Sequence, residues 1–463
     1  MPSQARVVWD PDFTKYNFGP AHPMQPVRLA LTARLCEEFG LFAADDVEVL
    51  SPDVVDDAWL HTVHEPYFVE AVKTASLNPE HTSEHLGIGT DDVPAFLGMH
   101  EASARIVEGT RALCEAVWTG QTTHGVNFCG GLHHAMAANA SGFCVYNDIA
   151  VGIQWLLDHG ADRVAYVDVD VHHGDGVESI FWDDPRVLTV SIHETGRALF
   201  PGTGWATDIG GGAALGHAVN VSLPPGLSDS GWLRALHSVA MPVVRAFRPQ
   251  VLVTQHGADT HYQDPLAHFA LSVDAQRDAM IALHKLSHEV CGGRWVALGG
   301  GGYEVVDVVP RTWTHLTAIA AHRPILPGVA VPEAWRDHVQ TLFGKPGPAR
   351  MGDLPDGEPI WWRSWDLGYD PGNEVDRARR PFAGGEAGAA WAHPRSPMST
   401  ERQLSEVRFL TVAEVASIMR VSKMTVYRLV HGGELPAVRV GRSFRVPEDA
   451  VHTYLSTSFV DTA

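Results

Sequence analysis

Between Tyr166 and Gly176 the chain reads Tyr-Val-Asp-Val-Asp-Val-His-His-Gly-Asp-Gly, placing three carboxylates (Asp168, Asp170, Asp175) and two imidazoles (His172, His173) within eight positions. In an extended chain, side chains at i, i+2 and i+4 share a face. Asp168, Asp170 and His172 therefore point the same way, and Asp170-x-His172 can grip one metal ion. A single aspartate at a strand end ordinarily caps a helix or binds water. So many like charges together cost stability unless a cation pairs them. A third ligand should come from another strand end. Asp259, in Gln255-His-Gly-Ala-Asp-Thr-His261, directly follows the apolar Val251-Leu-Val-Thr. Two aspartates and one histidine around an open position form a hydrolytic arrangement, in which a metal polarises a carbonyl and activates water. The ligand types allow zinc, and also iron(II), cobalt(II) or manganese(II).

Two further runs carry groups that such a site needs. Gly130-Gly-Leu-His-His-Ala135 puts adjacent histidines on a glycine-flanked loop, followed by Ser141-Gly-Phe-Cys-Val-Tyr-Asn-Asp148. Adjacent loop histidines alone mean little. Here Asp168 and Asp175 have no metal duty, and two His–Asp dyads would set the tautomer and basicity of each imidazole, as a general base requires. In Leu298-Gly-Gly-Gly-Gly-Tyr303 the glycines let backbone approach a ligand closely. The tyrosine behind them can donate its hydroxyl to a developing oxyanion.

An α/β fold would hold these runs in place. Apolar, β-rich segments predict buried strands at Arg163–Val169, Val187–Ile192, Val251–Gln255 and Trp295–Leu298, with helices between them such as Ser228–Phe247 and Asp274–Val290. Strands alternating with helices imply a mainly parallel sheet with helices on both faces. Ligands on such sheets collect at the carboxyl ends of the strands, and every chemical run here follows a predicted strand or lies in a Gly-rich loop. Beyond residue 320 the pattern weakens but stays aromatic (Trp335, Trp361, Trp362, Trp365) and reads as an ordered tail on the core. The first domain is thus expected over 1–385. Residues 386–405 fall in Gly/Ala/Pro/Ser-rich sequence and read as a linker.

A chain of 463 residues exceeds what one core usually serves, so two domains are expected. Five scattered cysteines (Cys36, Cys114, Cys129, Cys144, Cys291) without a CxxC read as reduced core thiols and argue against a thiolate zinc site. No charged, apolar leader and no apolar run of spanning length is present, which favours a cytoplasmic location and no membrane partner. The net charge of −21 disfavours general nucleic-acid affinity. It is uneven: Val407–Leu455 holds seven basic and four acidic residues, a net of +3, which marks a separate module.

Together these motifs resemble the histone deacetylase superfamily, in the arginase-like α/β fold. The matching pieces are His22-Pro-Met-x-Pro-x-Arg28, Gly130-Gly-x-His-His134, Ser141-Gly-Phe-Cys144, the Tyr166–Gly176 run, Phe200-Pro-Gly-Thr-Gly204, Gly257-Ala-Asp259 and Gly299–Tyr303, in family order over residues 15–320. Gly257-Ala-Asp-Thr-His-Tyr-x-Asp-Pro265 is most similar to the bacterial acetoin-utilisation-type deacetylases. The resemblance implies that Asp170, His172 and Asp259 hold zinc, with iron(II) as the other candidate. His134, paired with Asp175, would be general base and acid, and His133, paired with Asp168, its electrostatic partner. Tyr303 would bind the carbonyl oxygen. Phe143 and Phe200 would wall an acyl-lysine tunnel and Asp92 would hold substrate backbone at its rim, with Gly142 and Gly301 completing the substrate-binding set. Asp168, Asp170, His172, Ser191 and Ile192 fall where the family binds a structural monovalent cation, potassium. His173 has no catalytic duty and is expected to be structural. Dimanganese chemistry of the arginase type would need an aspartate two residues after the third ligand, where this chain has His261, so one catalytic metal is expected.

Residues 406–458 form the second module. A Thr411-x-x-Glu414 capping box opens a helix whose Val412, Val415, Ala416 and Met419 share one face. Val421-Ser422 turns into a second predicted helix, Lys423–Val430, stopped by Gly432-Gly433. Ala437–Val446 reads as two short strands around Gly441-Arg442, and a final helix starts at Pro447-Glu-Asp. Helix, turn, helix and wing, with basic residues on the second helix and the wing, is a DNA-docking layout. The segment closely resembles the excisionase-family, MerR-like winged helix-turn-helix. That likeness implies Lys423, Thr425, Tyr427 and Arg428 in the major groove, and Arg442 with Arg445 on phosphate or in the minor groove of double-stranded DNA. A net of +3 gives modest, salt-sensitive affinity, so dimerisation or closely spaced sites are expected.

The expected function is a zinc-dependent deacetylase hydrolysing the acetamide of acetyl-lysine in proteins, targeted to or regulated through DNA. The alternatives are a small-molecule amidohydrolase of acetylpolyamine type, and a DNA-binding regulator that uses the hydrolase domain as a sensor.

Overall fold

The computed structural model describes residues 3–354 and 360, and in the C-terminal region 409–419, 426, 429–430, 435–440, 443–447, 450–451 and 454. The chain divides into two compact units, Met1–Phe382 and Ala383–Ala463.

Among the described residues, eight strands build the larger unit: β1 (Ser3–Val8), β2 (Val47–Leu50), β3 (Thr122–Asn127), β4 (Val164–Asp168), β5 (Val187–Glu194), β6 (Ala218–Leu223), β7 (Val251–Gln255) and β8 (Trp295–Leu298). They form one sheet in the order β2-β1-β3-β8-β7-β4-β5-β6, and every neighbouring pair is parallel. Successive side chains of a strand point to opposite faces. Since β4, β5, β7 and β8 are buried at every position, both faces of the sheet centre are covered. This double burial explains why these segments are near-continuous apolar runs rather than alternating ones. Helices Met99–Trp118 and Asp148–Asp158 pack on each other, while Val309–Ala320 packs on both Val27–Glu38 and Val273–Cys291.

All four predicted strands are present. β7 and β8 keep their predicted bounds, β4 is one residue shorter at each end, and β5 runs on to Glu194. The single helix expected over Ser228–Phe247 is interrupted. Asp229–Ala235 and Met241–Phe247 are α-helical, but Leu236–Ala240 is a π turn. Pro242 has no N–H to donate, and the widened turn before it absorbs the gap in the hydrogen-bond ladder.

Beyond residue 320, helix Glu333–Phe343 carries Trp335 into a small core with Leu31, Leu35, Val306 and Met351. The Trp335 indole donates to the Leu31 carbonyl at 2.9 Å. Trp361, Trp362, Trp365 and the 386–405 segment lie outside the described residues. Among the described residues, no helix is long and apolar enough to cross a membrane.

In the smaller unit β9 (Phe409–Thr411), β10 (Val438–Val440) and β11 (Ser443–Pro447) form an antiparallel sheet, with β11 in the centre. Val440 pairs with Ser443, so β10 and β11 are the two antiparallel strands expected from the sequence, while Gly441 and Arg442, read there as the turn, lie outside the described residues. The capping box is reciprocal. Thr411 Oγ1 accepts from the Glu414 N–H at 3.2 Å, and Glu414 Oε2 accepts from the Thr411 N–H at 2.7 Å. Val412, Val415 and Ala416 are buried with Val426 and Leu429 of the second helical segment. Arg445 stands in β11, opposite Val438 and Thr411. Lys423, Thr425, Tyr427, Arg428 and Arg442 lie outside the described residues.

Candidate active site

Five loops at the carboxyl ends of β3, β4, β5, β7 and β8 supply the chemical groups. These strands are contiguous in the sheet, in the order β3-β8-β7-β4-β5, so residues distant in sequence converge at one end of it.

At the centre lie Asp170, His172 and Asp259, all buried, with ligand atoms that all fall within 4.8 Å of one another. His172 Nδ1 is 3.1 Å from both Asp170 Oδ1 and Asp259 Oδ2. The carboxylates are held from behind. Asp170 Oδ2 accepts from the Gln255 amide at 2.7 Å and the Gly301 N–H at 2.9 Å, and Asp259 Oδ1 accepts from the Val171 N–H at 3.1 Å. A β-carbon at Gly257 would stand 2.0 Å from Asp170 Oδ2, and one at Gly301 2.0 Å from Asp259 Oδ2, so glycine is required for the two carboxylates to sit this close to the backbone. Burial and the charge of Asp170 push the Asp259 carboxyl up to about 7. Burial also opposes ionisation of Asp170, but His133 and His172 outweigh it and hold that carboxyl low. The cluster thus concentrates more negative charge than His172 alone offsets. Its donor set of one imidazole and two carboxylates fits a divalent cation of the zinc or iron(II) type.

The two dyads are formed. His133 Nδ1 is 2.7 Å from Asp168 Oδ2, and His134 Nδ1 is 2.7 Å from Asp175 Oδ1. The rings lie side by side with centroids 4.0 Å apart, yet their environments separate them. Burial alone would lower His133, but Asp168 and Asp170 outweigh it and push it up to about 9. Burial and the neighbouring His133 push His134 down to about 4. At neutral pH one ring carries charge and the other offers a lone pair, which is how adjacent groups divide acid and base roles.

Tyr303 stands at the end of the glycine loop, with its N–H donated to Asp264 at 2.8 Å. Burial and the charges of Asp259 and Asp170 push its hydroxyl well above the ordinary phenol value, so it remains a donor. Phe143 meets Tyr303 edge-on at 5.7 Å, and Phe200 meets His134 at 5.0 Å and His172 at 6.4 Å. The two phenyl rings therefore flank the approach to the cluster. Phe143 holds φ 65°, in the left-handed region that residues with a β-carbon seldom adopt. Its carbonyl accepts from the Tyr16 hydroxyl at 2.6 Å. Asp92 accepts from the Gly142 N–H at 2.7 Å, so its carboxylate shapes the Phe143 loop from within. The Gly301 N–H is likewise committed to Asp170 rather than open to a ligand.

The remaining predicted residues are also placed. Asp168 and Ser191 are register partners across β4 and β5, and the Ser191 hydroxyl is 2.8 Å from His193 Nδ1. His173 Nδ1 bonds Thr203 Oγ1 at 2.8 Å, and His261 Nε2 bonds Asp353 at 2.8 Å. Four supporting residues went unassigned in the sequence reading. Gln255 anchors Asp170, Tyr166 donates to Asp168 at 2.6 Å, and Asp264 receives the Tyr303 N–H. Buried Arg28 donates to the carbonyls of Gly300 and Gly302 at 2.9 and 3.0 Å, bracing the glycine loop. Tyr166 and Gln255 did carry a signal, as polar groups in or at the end of mainly apolar buried strands.

Residues 22–320 match the histone deacetylase domain. The chain belongs to the histone deacetylase family. Residues 409–458 match a helix-turn-helix domain. The acetoin utilization protein AcuC of Bacillus subtilis (strain 168) is 40% identical over 330 residues, 71% of this chain and 84% of that protein. AcuC of Staphylococcus aureus (strain MSSA476) is 35% identical over 356 residues, 76% of this chain and 91% of its own length. Among solved structures, an HDAC homolog complexed with SAHA superposes with a TM-score of 0.66 at 27% identity, over 73% of this chain and 89% of its own. The protein is a deacetylase of the AcuC-like kind, an enzyme for acetyl amides, joined to a C-terminal helix-turn-helix domain of excisionase type.

Proposed function

We propose that this deacetylase is metal-dependent, hydrolyses acetyl-lysine in proteins, and is directed to double-stranded DNA by its C-terminal domain. The observation that carries the catalytic reading is the convergence of three metal-type ligands, two His–Asp dyads and a protonated tyrosine at one end of the sheet. A zinc ion held by Asp170, His172 and Asp259, or iron(II) in its place, would polarise the acetamide carbonyl and lower the pKa of the attacking water. His134 accepts a proton from that water at Nε2, while Asp175 holds the opposite ring nitrogen and steadies the imidazolium that results. His133, kept cationic by Asp168, favours negative charge on the acyl oxygen, and the Tyr303 hydroxyl donates to the same oxygen. His134 then returns its proton to the departing amine. The C–N bond breaks, and lysine and acetate leave with the elements of water added across it.

Phe143 and Phe200 suit the methylene stem of lysine, whose apolar length packs on flat faces while its polar end reaches the site. Gly142, whose N–H binds Asp92, and Gly301, whose N–H binds Asp170, set the walls around that stem. Structural potassium is assigned to Asp168, Ser191 and the backbone of Asp170, His172 and Ile192. In the small domain Lys423, Thr425, Tyr427 and Arg428 are assigned to the major groove, and Arg442 and Arg445 to phosphate or minor groove.

A panel of acetyl-lysine peptides and acetylpolyamines, offered to the metal-replete full chain, tests the substrate. Higher kcat/KM on peptides is expected, and preference for an acetylpolyamine overturns the protein-substrate reading. Promoter DNA should bind the full chain more tightly than residues 1–385 at physiological salt, and equal binding refutes the DNA assignment.

A further inference from the structure

A second group of histidines lies at the opposite end of the sheet. His124 stands in β3 beside Trp295, the first residue of β8, whereas the catalytic loops leave the carboxyl ends of these strands. His284 and His288 are four apart on helix Val273–Cys291 and so share a face. His322 follows helix Val309–Ala320.

All four rings present Nε2 to one point. His124 Nε2 is 3.0 Å from that of His322, 3.1 Å from that of His284 and 3.2 Å from that of His288, and the His284–His288 separation is 3.2 Å. The whole set of ligand atoms falls within 4.8 Å. Four neutral imidazoles so arranged can satisfy one another only in pairs, each donor matched to one acceptor. A tetrahedral ion with metal–nitrogen bonds of about 2.0–2.1 Å would instead take all four lone pairs, and the edge of that tetrahedron is about 3.3 Å. The observed spacings are within a few tenths of an ångström of it.

The surroundings favour that arrangement. Gly293 leaves room for the cluster, since a β-carbon there would lie 2.8 Å from His288 Cε1. His322 is held at φ 54°, a strained backbone of the kind that collects at ligand clamps. His288 and His322 are exposed, which gives an ion a way in.

We propose that His124, His284, His288 and His322 form a second metal site, binding a borderline divalent cation such as Zn2+, Co2+ or Ni2+ through four imidazole nitrogens. The ion ties β3 to the carboxyl-terminal ends of two helices that cover the sheet. None of its four ligands comes from the carboxyl-end loops that carry the acyl chemistry.

The test is a metal count on tag-free full-length protein, stripped with chelator and titrated with Zn2+, then repeated with Co2+ and followed by its visible ligand-field bands. Wild type should bind two equivalents. His284→Ala/His288→Ala, and separately the exposed His322→Ala, should each lose one equivalent and the four-nitrogen Co2+ spectrum, with turnover of an acetyl-lysine peptide within twofold of wild type. An Asp170→Asn/Asp259→Asn chain should keep the four-histidine equivalent, which separates failure of this site from failure of the catalytic one. A count that neither histidine variant changes overturns the proposal, as does a wild-type Co2+ spectrum that both variants share.

Discussion

Replacing Asp175 with asparagine isolates what the His134 dyad contributes. The carboxylate accepts from His134 Nδ1 at 2.7 Å, in a pair whose side chains are only 6% and 11% exposed. An amide keeps the shape and removes the charge. When His134 takes a proton, the wild-type pair becomes a charge-assisted bond contributing about 1.5–3 kcal/mol, against about 1 kcal/mol for a neutral one. The bond strengthens only as the transition state forms, so about 1–2 kcal/mol of catalysis is lost. At about 1.4 kcal/mol per decade, kcat should fall roughly 5- to 30-fold with KM little changed. The pH profile moves as well. Burial and His133 hold His134 at about 4, and Asp175 is one of the groups that raise it. Without that carboxylate the ring is a weaker base and stays unprotonated to lower pH. The acid limb of kcat should therefore shift down while the plateau drops. The assay is kcat against pH on an acetyl-lysine peptide, with metal content and melting temperature as controls. A plateau within twofold of wild type, or a loss confined to KM, would refute the general-base assignment.

Three further outcomes are expected. Gly142→Ala places a β-carbon 2.3 Å from His134 Cδ2 on a backbone held at φ 57°. It should cost about 1–2 kcal/mol of stability and tenfold or more in kcat by displacing the ring, measured by denaturant unfolding and peptide turnover. Asp353 is raised by burial, but the bond from His261 and the charge of Arg311 outweigh this and hold it well below the ordinary carboxylate value. Its stabilising contribution is thus fully present above the unfolded value near pH 4 and fades as the pH falls below it. Asp353→Asn should be destabilised by about 1–3 kcal/mol at pH 7, and unfolding curves of variant and wild type should draw together in acid. Thr411→Ala removes the hydroxyl half of the small domain's capping box and should cost that domain about 1 kcal/mol, weakening DNA binding in a gel-shift titration while leaving deacetylation unchanged.

Much of this site could be read from residue order because its chemistry coincides with strand ends. The period-two spacing of Asp170 and His172, and the position of Asp259 after an apolar run, are local patterns with a direct structural meaning. Gln255 was read only as the last residue of a strand, because its role depends on a bond to Asp170, 85 residues away. Phe143 gave no hint of its left-handed backbone, which is imposed by the Tyr16 and Asp92 contacts around the loop. The π turn at Leu236–Ala240 had a local cause, Pro242, that an otherwise regular helical pattern outweighed. The four-histidine cluster shows the limit most clearly. His284 and His288 are visibly one turn apart, but His124 and His322 join them only through the packing of a strand and two helices.

Tyr303→Phe tests the account most directly, because it removes one hydroxyl from the oxyanion position and no metal ligand. On a metal-replete, full-length chain turning over an acetyl-lysine peptide, kcat should fall roughly 100-fold or more with metal content unchanged. Turnover near that of wild type at equal metal content would contradict the assignment of this pocket as the site of amide hydrolysis.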